Sequence, residues 1–426
     1  MSPANKSQLM RALFDAAVAA AQPVQFMPEA VRTLLPDTIS GRLFVTGFGK
    51  ASAAMAQALE AEMPDELAQK IYGRIIVPDG HEETLSRLEI MQTSHPVPDA
   101  RSAAAASYVL KEAGRLAEGD VMLVLISGGG SSLMCLPRAP LTLSEKQDVT
   151  QQLLKKGAPI GAMNCLRKHL SSVKGGQLAV AAYPARTISF AISDVPGDDA
   201  SVIASGPTVA DETSRHDALG VIERYGLDVP PAVLDLLGSS ACETPFSDDI
   251  SLSASNFHVL ATPQRSLEAA ADIARHAGYE PIILGDSLEG NSRDLAAEQA
   301  QLATEMGPGK ALISGGETTV IVTGTGRGGR NAEFVHALAL QGRFDALAAD
   351  TDGIDGSAAI AGAFISPDTA DRAAAAGLDT HAMLENNDSH SFFAALGDQI
   401  ITGPTRTNVN DFRVILTGSS CFTIYP

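Results

Sequence analysis

The sequence predicts an α/β protein of two α/β domains. Three observations carry this. Short apolar runs alternate with helical stretches, the pattern restarts once, and 426 residues exceed one ordinary core. Residues 7–22 read as an opening helix. Arg42–Thr46 is a strand, Gly47-Phe48-Gly49 a turn, and a helix follows from about Lys50 to Met63. Ile71–Val77 and Leu88–Thr93 are strand candidates, and Ala100–Leu116 is an alanine-rich helix. Val121–Ile126 is continuously apolar, as in a strand buried on both faces of a parallel sheet. Helices near 144–156 and 161–182 lead to the strand Arg186–Ile192. This half, residues 1–240, is expected to form a Rossmann-like, doubly wound, mostly parallel sheet. The polar stretch 238–254 marks the boundary. Residues 241–426 restart with strand Phe257–Ala261, helix 264–277, strand Pro281–Leu284 and helix 292–305. Strands at Ala311–Ile313, Thr318–Thr323 and Ala346–Ala349 and a helix at 330–341 complete the pattern.

Composition excludes several functions. Apolar residues at 45% and charged residues at 19% fit a folded chain rather than a disordered one. A net charge of −19 opposes nucleic acid and anionic membrane surfaces. An anionic substrate then requires a local cluster of cations and N–H donors. No apolar run is long enough to cross a membrane. Cys135, Cys165, Cys242 and Cys421 show no CxxC spacing, so neither a zinc site nor a disulfide framework is expected. A reducing cytoplasm and no signal peptide fit this pattern.

Strand-terminal loops carry ligands in open α/β sheets. Ser127-Gly128-Gly129-Gly130-Ser131-Ser132 has more glycine and serine than a tight turn needs, and its amides can form an anion nest. Lys50, at a helix start, opposes the helix dipole unless an anion partners it. Gly324-Thr325-Gly326-Arg327-Gly328-Gly329 has a formal GxGxxG spacing with Asp350 further on. Its arginines, Arg330 included, suit a polyanion better than a nicotinamide, although a flexible turn also fits. Asp194 and Asp352 lie in acidic loops suited to Mg²⁺ or to taking a hydroxyl proton; capping and turn roles fit equally. His95 is a substrate ligand or a structural loop residue. Together these loops point to phosphoryl transfer, which needs positioning and charge neutralisation.

The chain resembles the glycerate 2-kinases whose C-terminal part is the MOFRL domain, expected here over about residues 308–418. Matching segments include Gly47–Ala51, His95–Asp99, Leu125–Ser132, Arg167–Ser171, Lys174–Gly176, Ser193–Val195 and Ile203–Pro207. In the second half they include Ser314–Thr318, Gly328–Asn331, Thr351–Gly356, Asn387–Ser389 and Thr402–Thr405. The resemblance implies an active site in the cleft between the domains. It implies transfer of the ATP γ-phosphate to the 2-hydroxyl of D-glycerate, with Mg²⁺ or another divalent cation. Lys50 and Arg330 take the family's essential lysine and arginine positions. Asp194 joins them as a catalytic candidate and shares the metal with Asp352. His95, Ser127–Ser132 (Ser127, Gly128, Gly129, Gly130, Ser131, Ser132), Glu317, Asn331 and Asn408 are the substrate- and phosphate-binding candidates. The chain departs from the family pattern at Ser201, His390 and Arg406, where aspartate, tyrosine and glycine are expected. Small-molecule partners and a monomer or homodimer are expected. An NAD(P)H-dependent hydroxypyruvate reductase, resting on the glycine pattern at 324–329 and on Asp350, is the alternative, and relatives also carry that name; a non-catalytic sensor is a third reading.

Overall fold

The computed structural model describes residues 3–356 and 359–418; Cys421 falls outside them. The chain divides into two compact units, Phe26–Leu260 and Met1–Gln25 with Ala261–Pro426. The expected division at 240/241 differs at both ends. The strand near 257, read as the start of the second half, is instead the last strand of the first sheet. The opening helix, Pro3–Ala20, buries Met10, Leu13, Phe14 and Ala17 against Leu267, Ala271, Phe412 and Val414 of the second unit. Sequence adjacency is a weak guide when an apolar helix face finds its partner near the other end of the chain.

The first unit holds β1 (Leu43–Phe48), β2 (Ile71–Pro78), β3 (Glu89–Thr93), β4 (Val121–Ile126), β5 (Arg186–Ile192) and β6 (Ser255–Ala261). Their order is β3-β2-β1-β4-β5-β6. The pairs β2/β3, β1/β2, β1/β4 and β4/β5 are parallel. All six residues of β4 are buried, which explains its unbroken apolar run. The helix Ala100–Ala113 starts at Asp99, whose carboxylate accepts from the amides of Arg101 and Ser102 in a capping box. Asp99 of the His-Pro-Val-Pro-Asp segment is therefore a helix cap. The expected helix 161–182 is two helices, Ile160–His169 and Gln177–Ala182. Gly175 and Gly176, both at positive φ, break it.

The second unit holds β7 (Glu280–Leu288), β8 (Lys310–Gly316), β9 (Asp345–Asp350), β10 (Gly362–Ile365), β11 (Gln399–Ile400) and β12 (Asp411–Leu416), ordered β11-β10-β9-β12-β8-β7. Only β7/β8 is parallel; the other pairs are antiparallel. No strand forms over 318–323; Thr319 makes a single bridge to Asn291. Ile321 and Val322 are exposed, so their β-branched pattern has no sheet to join.

Candidate functional site

In the first unit, four parallel strands deliver the candidates to one sheet edge. β1 leads to Lys50, β3 to His95, β4 to Ser127 and β5 to Asp194, each just past a carboxyl end. Strand order reverses between β1 and β4, the crevice position where open α/β sheets take ligands. The loops after these two strands interlock. The Lys50 amide donates to the Gly128 carbonyl (2.9 Å) and the Ala51 amide to Ser127 Oγ (3.0 Å). Helix Ser52–Glu62 thus begins against the Ser127–Gly128 turn, two residues beyond Lys50. Gly129 sits at φ +84°, and a β-carbon there would lie 2.9 Å from the His95 ring and 3.7 Å from Lys50 Cγ. This glycine lets a lysine stem, an imidazole and the loop backbone share one spot. Among the described residues, no backbone carbonyl accepts from the Gly128 or Gly129 amides, as an anion nest requires.

The serines divide the work. Ser127 is buried and caps Ala51. Ser131 Oγ meets Ser205 Oγ (2.9 Å) and accepts from Lys174 Nζ (3.0 Å) and from Arg167. Ser132 Oγ donates to the Gly129 carbonyl (2.9 Å). These hydroxyls shape the loop; its backbone is what remains for a ligand. Ala204, Ser205 and Gly206 all have positive φ, a run of left-handed backbone beneath the loop. Asp194 is half-buried beside fully buried Ser193.

In the second unit the register of β12 on β9 sets Asp411 directly opposite Asp350. Two like charges so placed repel unless a cation joins them. Arg330, first residue of helix Arg330–Gln341, does so. Its Nε donates to Asp411 (2.8 Å) and its terminal nitrogens to Asp350 (2.9 Å) and Glu317 (2.6 Å). Burial disfavours the guanidinium charge, but the Asp411, Asp350 and Glu317 carboxylates outweigh it and raise the pKa. Asp411 also pairs with fully buried Arg413, whose pKa burial lowers. Asn331 is fully buried, and its amide donates to Asp411 (2.6 Å) and Asp355 (3.4 Å), bracing the acids beside Arg330. Asp355 accepts from the Asn331 and Ala332 amides, and burial pushes its pKa up to about 6. Asn408 is buried and accepts from the Asn410 amide (3.2 Å).

A cavity of about 530 Å³ lies beside Arg330, lined by Thr318, Val322, Gly326, Gly329, Glu333 and Asn387 among others. The irregular strap 323–327 is sewn to residues 386–390. Asn387 Oδ1 accepts from the Thr323 (2.8 Å) and Gly324 (2.9 Å) amides, and the Gly326 amide donates to the Asn386 carbonyl (2.9 Å). A β-carbon on Gly324 or Gly329 would enter the backbone of Asn386 or Asp355. Close packing of the strap therefore already demands these glycines, whatever ligand passes by.

The profile of a domain of unknown function, DUF4147, matches residues 9–238, and that of the MOFRL family matches residues 310–411. A D-glycerate 2-kinase from Thermotoga maritima is 37% identical over 401 residues, 91% of this chain and 94% of that one. The crystal structure of glycerate kinase from the same organism matches with a TM-score of 0.86 at 35% identity, covering 96% of this chain and 99% of that chain. The chain belongs to the glycerate 2-kinase family. A provisionally named hydroxypyruvate reductase from Agrobacterium vitis is 46% identical over 424 residues, 96% of this chain and 94% of that one.

Within this glycerate 2-kinase frame, sequence reasoning missed Asp411, Arg413 and Glu333, and noticed Asp355 only as part of an acidic loop. Asp411 and Arg413 had a signal: an acid and a base two apart in an apolar strand share one face. Among the described residues no three His, Cys, Asp or Glu side chains group to hold a metal. Asp350 is bonded to Arg330 and to the Asp352 amide (3.0 Å), and Asp352 accepts from the Ile354 amide (2.8 Å). Among the described residues no helix is long and apolar enough to cross a membrane.

Proposed function

We propose that the chain phosphorylates D-glycerate at its 2-hydroxyl with ATP, giving 2-phosphoglycerate and ADP. The observation that carries this is full-length likeness to a D-glycerate 2-kinase, with Lys50 and the glycine loop at the β1/β4 switch point. Phosphoryl transfer asks the protein for charge neutralisation and alignment. Lys50 and the Gly128–Gly129 amides supply a cation and two donors for developing negative charge. Arg330 does the same in its own unit. Its three carboxylates hold the fork in place before ligand arrives, and a phosphate replaces the exposed Glu317 first. His95 and Asp194 are the groups at this edge able to receive the hydroxyl proton. ATP enters as its magnesium complex, with Asp194 and Asp352 the carboxylates offered to the divalent ion. We place the enzyme in the cytoplasm as a monomer or homodimer.

The reductase reading has a specific observation in its favour, the 46% identity to a relative so named. The geometry of the glycine pattern opposes it. Residues 317–329 contain no strand, and they lie outside the β1–β6 sheet. A dinucleotide fingerprint needs its glycines directly between a strand and a helix of one βαβ unit. The test incubates the protein with ATP, Mg²⁺ and D-glycerate and identifies the phosphorylated product. We expect 2-phosphoglycerate, with turnover cut roughly 10³-fold or more in Lys50→Ala and Arg330→Ala. NADH-dependent reduction of hydroxypyruvate without any phosphorylation overturns the kinase reading.

A further inference from the structure

A second cavity, of about 540 Å³, lies wholly in the first unit against the glycine loop. Pro96–Pro98 of the His95 loop and Ser132 of the glycine loop form part of its wall. Three cations line it: Lys146, Arg167 and Lys174. Lys146 and Lys174 are buried, and their ammonium groups already have jobs. Lys146 Nζ donates to the Arg167 (3.1 Å) and Leu170 (3.0 Å) carbonyls, and Lys174 Nζ to the Ser131 (2.6 Å) and Met134 (3.2 Å) carbonyls. Both therefore stabilise the carboxyl ends of helices. Arg167 differs. It is half-buried, its side chain donates to Ser131 Oγ, and no carboxylate among the described residues figures in its electrostatics. The acid on this wall, Asp148, is exposed at the rim. Burial lowers the pKa of all three cations, so each lacks an anionic partner inside the cavity, and an entering carboxylate would restore favour to the charged forms. A guanidinium fork in such a place suits a planar carboxylate held by two N–H donors.

We propose that Arg167 binds the carboxylate of the hydroxy-acid substrate in this cavity, which rests on the kinase reading above. The cavity shares both the His95 loop and the Ser127–Ser132 loop with Lys50. A hydroxyl on the carbon next to the bound carboxylate is thereby directed toward the lysine and the Gly128–Gly129 amides. Arg167 and Lys174 also grip Ser131, so occupancy of the cavity and the shape of the glycine loop are linked through one hydroxyl.

The experiment measures D-glycerate binding by calorimetry without ATP, and steady-state kinetics with D-glycerate and with uncharged glycerol, for wild type, Arg167→Met and Arg167→Lys. Arg167→Met is expected to raise the Kd and KM for D-glycerate roughly 10- to 100-fold. The KM for ATP and any turnover of glycerol are expected to change several-fold less than the KM for D-glycerate, and Arg167→Lys recovers part of the loss. In wild type, D-glycerate but not glycerol is expected to shield Arg167 from phenylglyoxal, mapped on the modified peptide. This last measurement holds even where a variant fails to fold. Unchanged D-glycerate affinity in a folded Arg167→Met protein, equal losses for acid and alcohol, or no shielding overturns the proposal. Absence of wild-type turnover with intact binding and shielding sinks the kinase reading alone.

Discussion

Single positions show how tightly the site is specified. Gly129 has a left-handed φ and the His95 ring against its open side. Gly129→Ala should destabilise the first unit by about 1–2 kcal/mol from backbone strain alone. By pushing His95 and Lys50 apart it should also lower kcat more than tenfold, which denaturant titration and initial rates will check. Asp411 is the acceptor for Arg330, Asn331 and Arg413. Asp411→Ala strands a fully buried guanidinium, so a loss of about 3–5 kcal/mol is expected by chemical denaturation. Legibility differed between these residues. Lys50 and Arg330 stood out as cations in glycine loops. Asp411 is silent until register is known, because its importance comes from facing Asp350 across two strands distant in sequence. Arg406 occupies φ +67°, where the resembling family's glycine fits without strain.

At the scale of elements, periodicity located most strands and helices within a few residues, and the apolar run 121–126 was unambiguous. It failed where residues looked like sheet but met no sheet edge. Residues 318–323 have strand chemistry, yet side-chain bonds from 386–388 hold that region as a strap. No local pattern encodes a bond to a residue some sixty positions away. Asn387 is the fastening point, since its amide group also donates to Glu333 (3.0 Å). Asn387→Ala should free the strap while leaving the sheets intact. Hydrogen exchange at Thr323 and Gly324 is expected to rise at least tenfold, with little change in strands β8 and β12; unchanged exchange would remove Asn387 from this role.

For the whole molecule, two sheets were foreseeable, but β10, β11 and β12 were not read as strands, and strand order depends on crossovers that leave no trace in a local window. The acidic chain still responds to pH through a buried base. His336 stacks on Phe392 at 4.1 Å, and burial pushes its pKa down to about 4 from 6.5. The unfolded chain then binds a proton between pH 6.5 and 4 that the folded chain refuses, so stability falls as pH drops through that window. The effect approaches roughly 3 kcal/mol by pH 4. In His336→Phe that contribution disappears. Denaturation of both proteins at pH 7.5 and pH 4.5 should show the variant losing less, and parallel losses would refute the assignment.

The helix Pro3–Ala20 packs its apolar face on Phe412 and Val414 of β12, although residues 26–260 form a separate body in between. On a ribosome this helix is made long before β12, the strand it packs against. Its sticky side emerges before its seat exists, while the intervening body can mature alone. Until β12 emerges, that apolar face depends on a chaperone or on the solubility of the nascent chain.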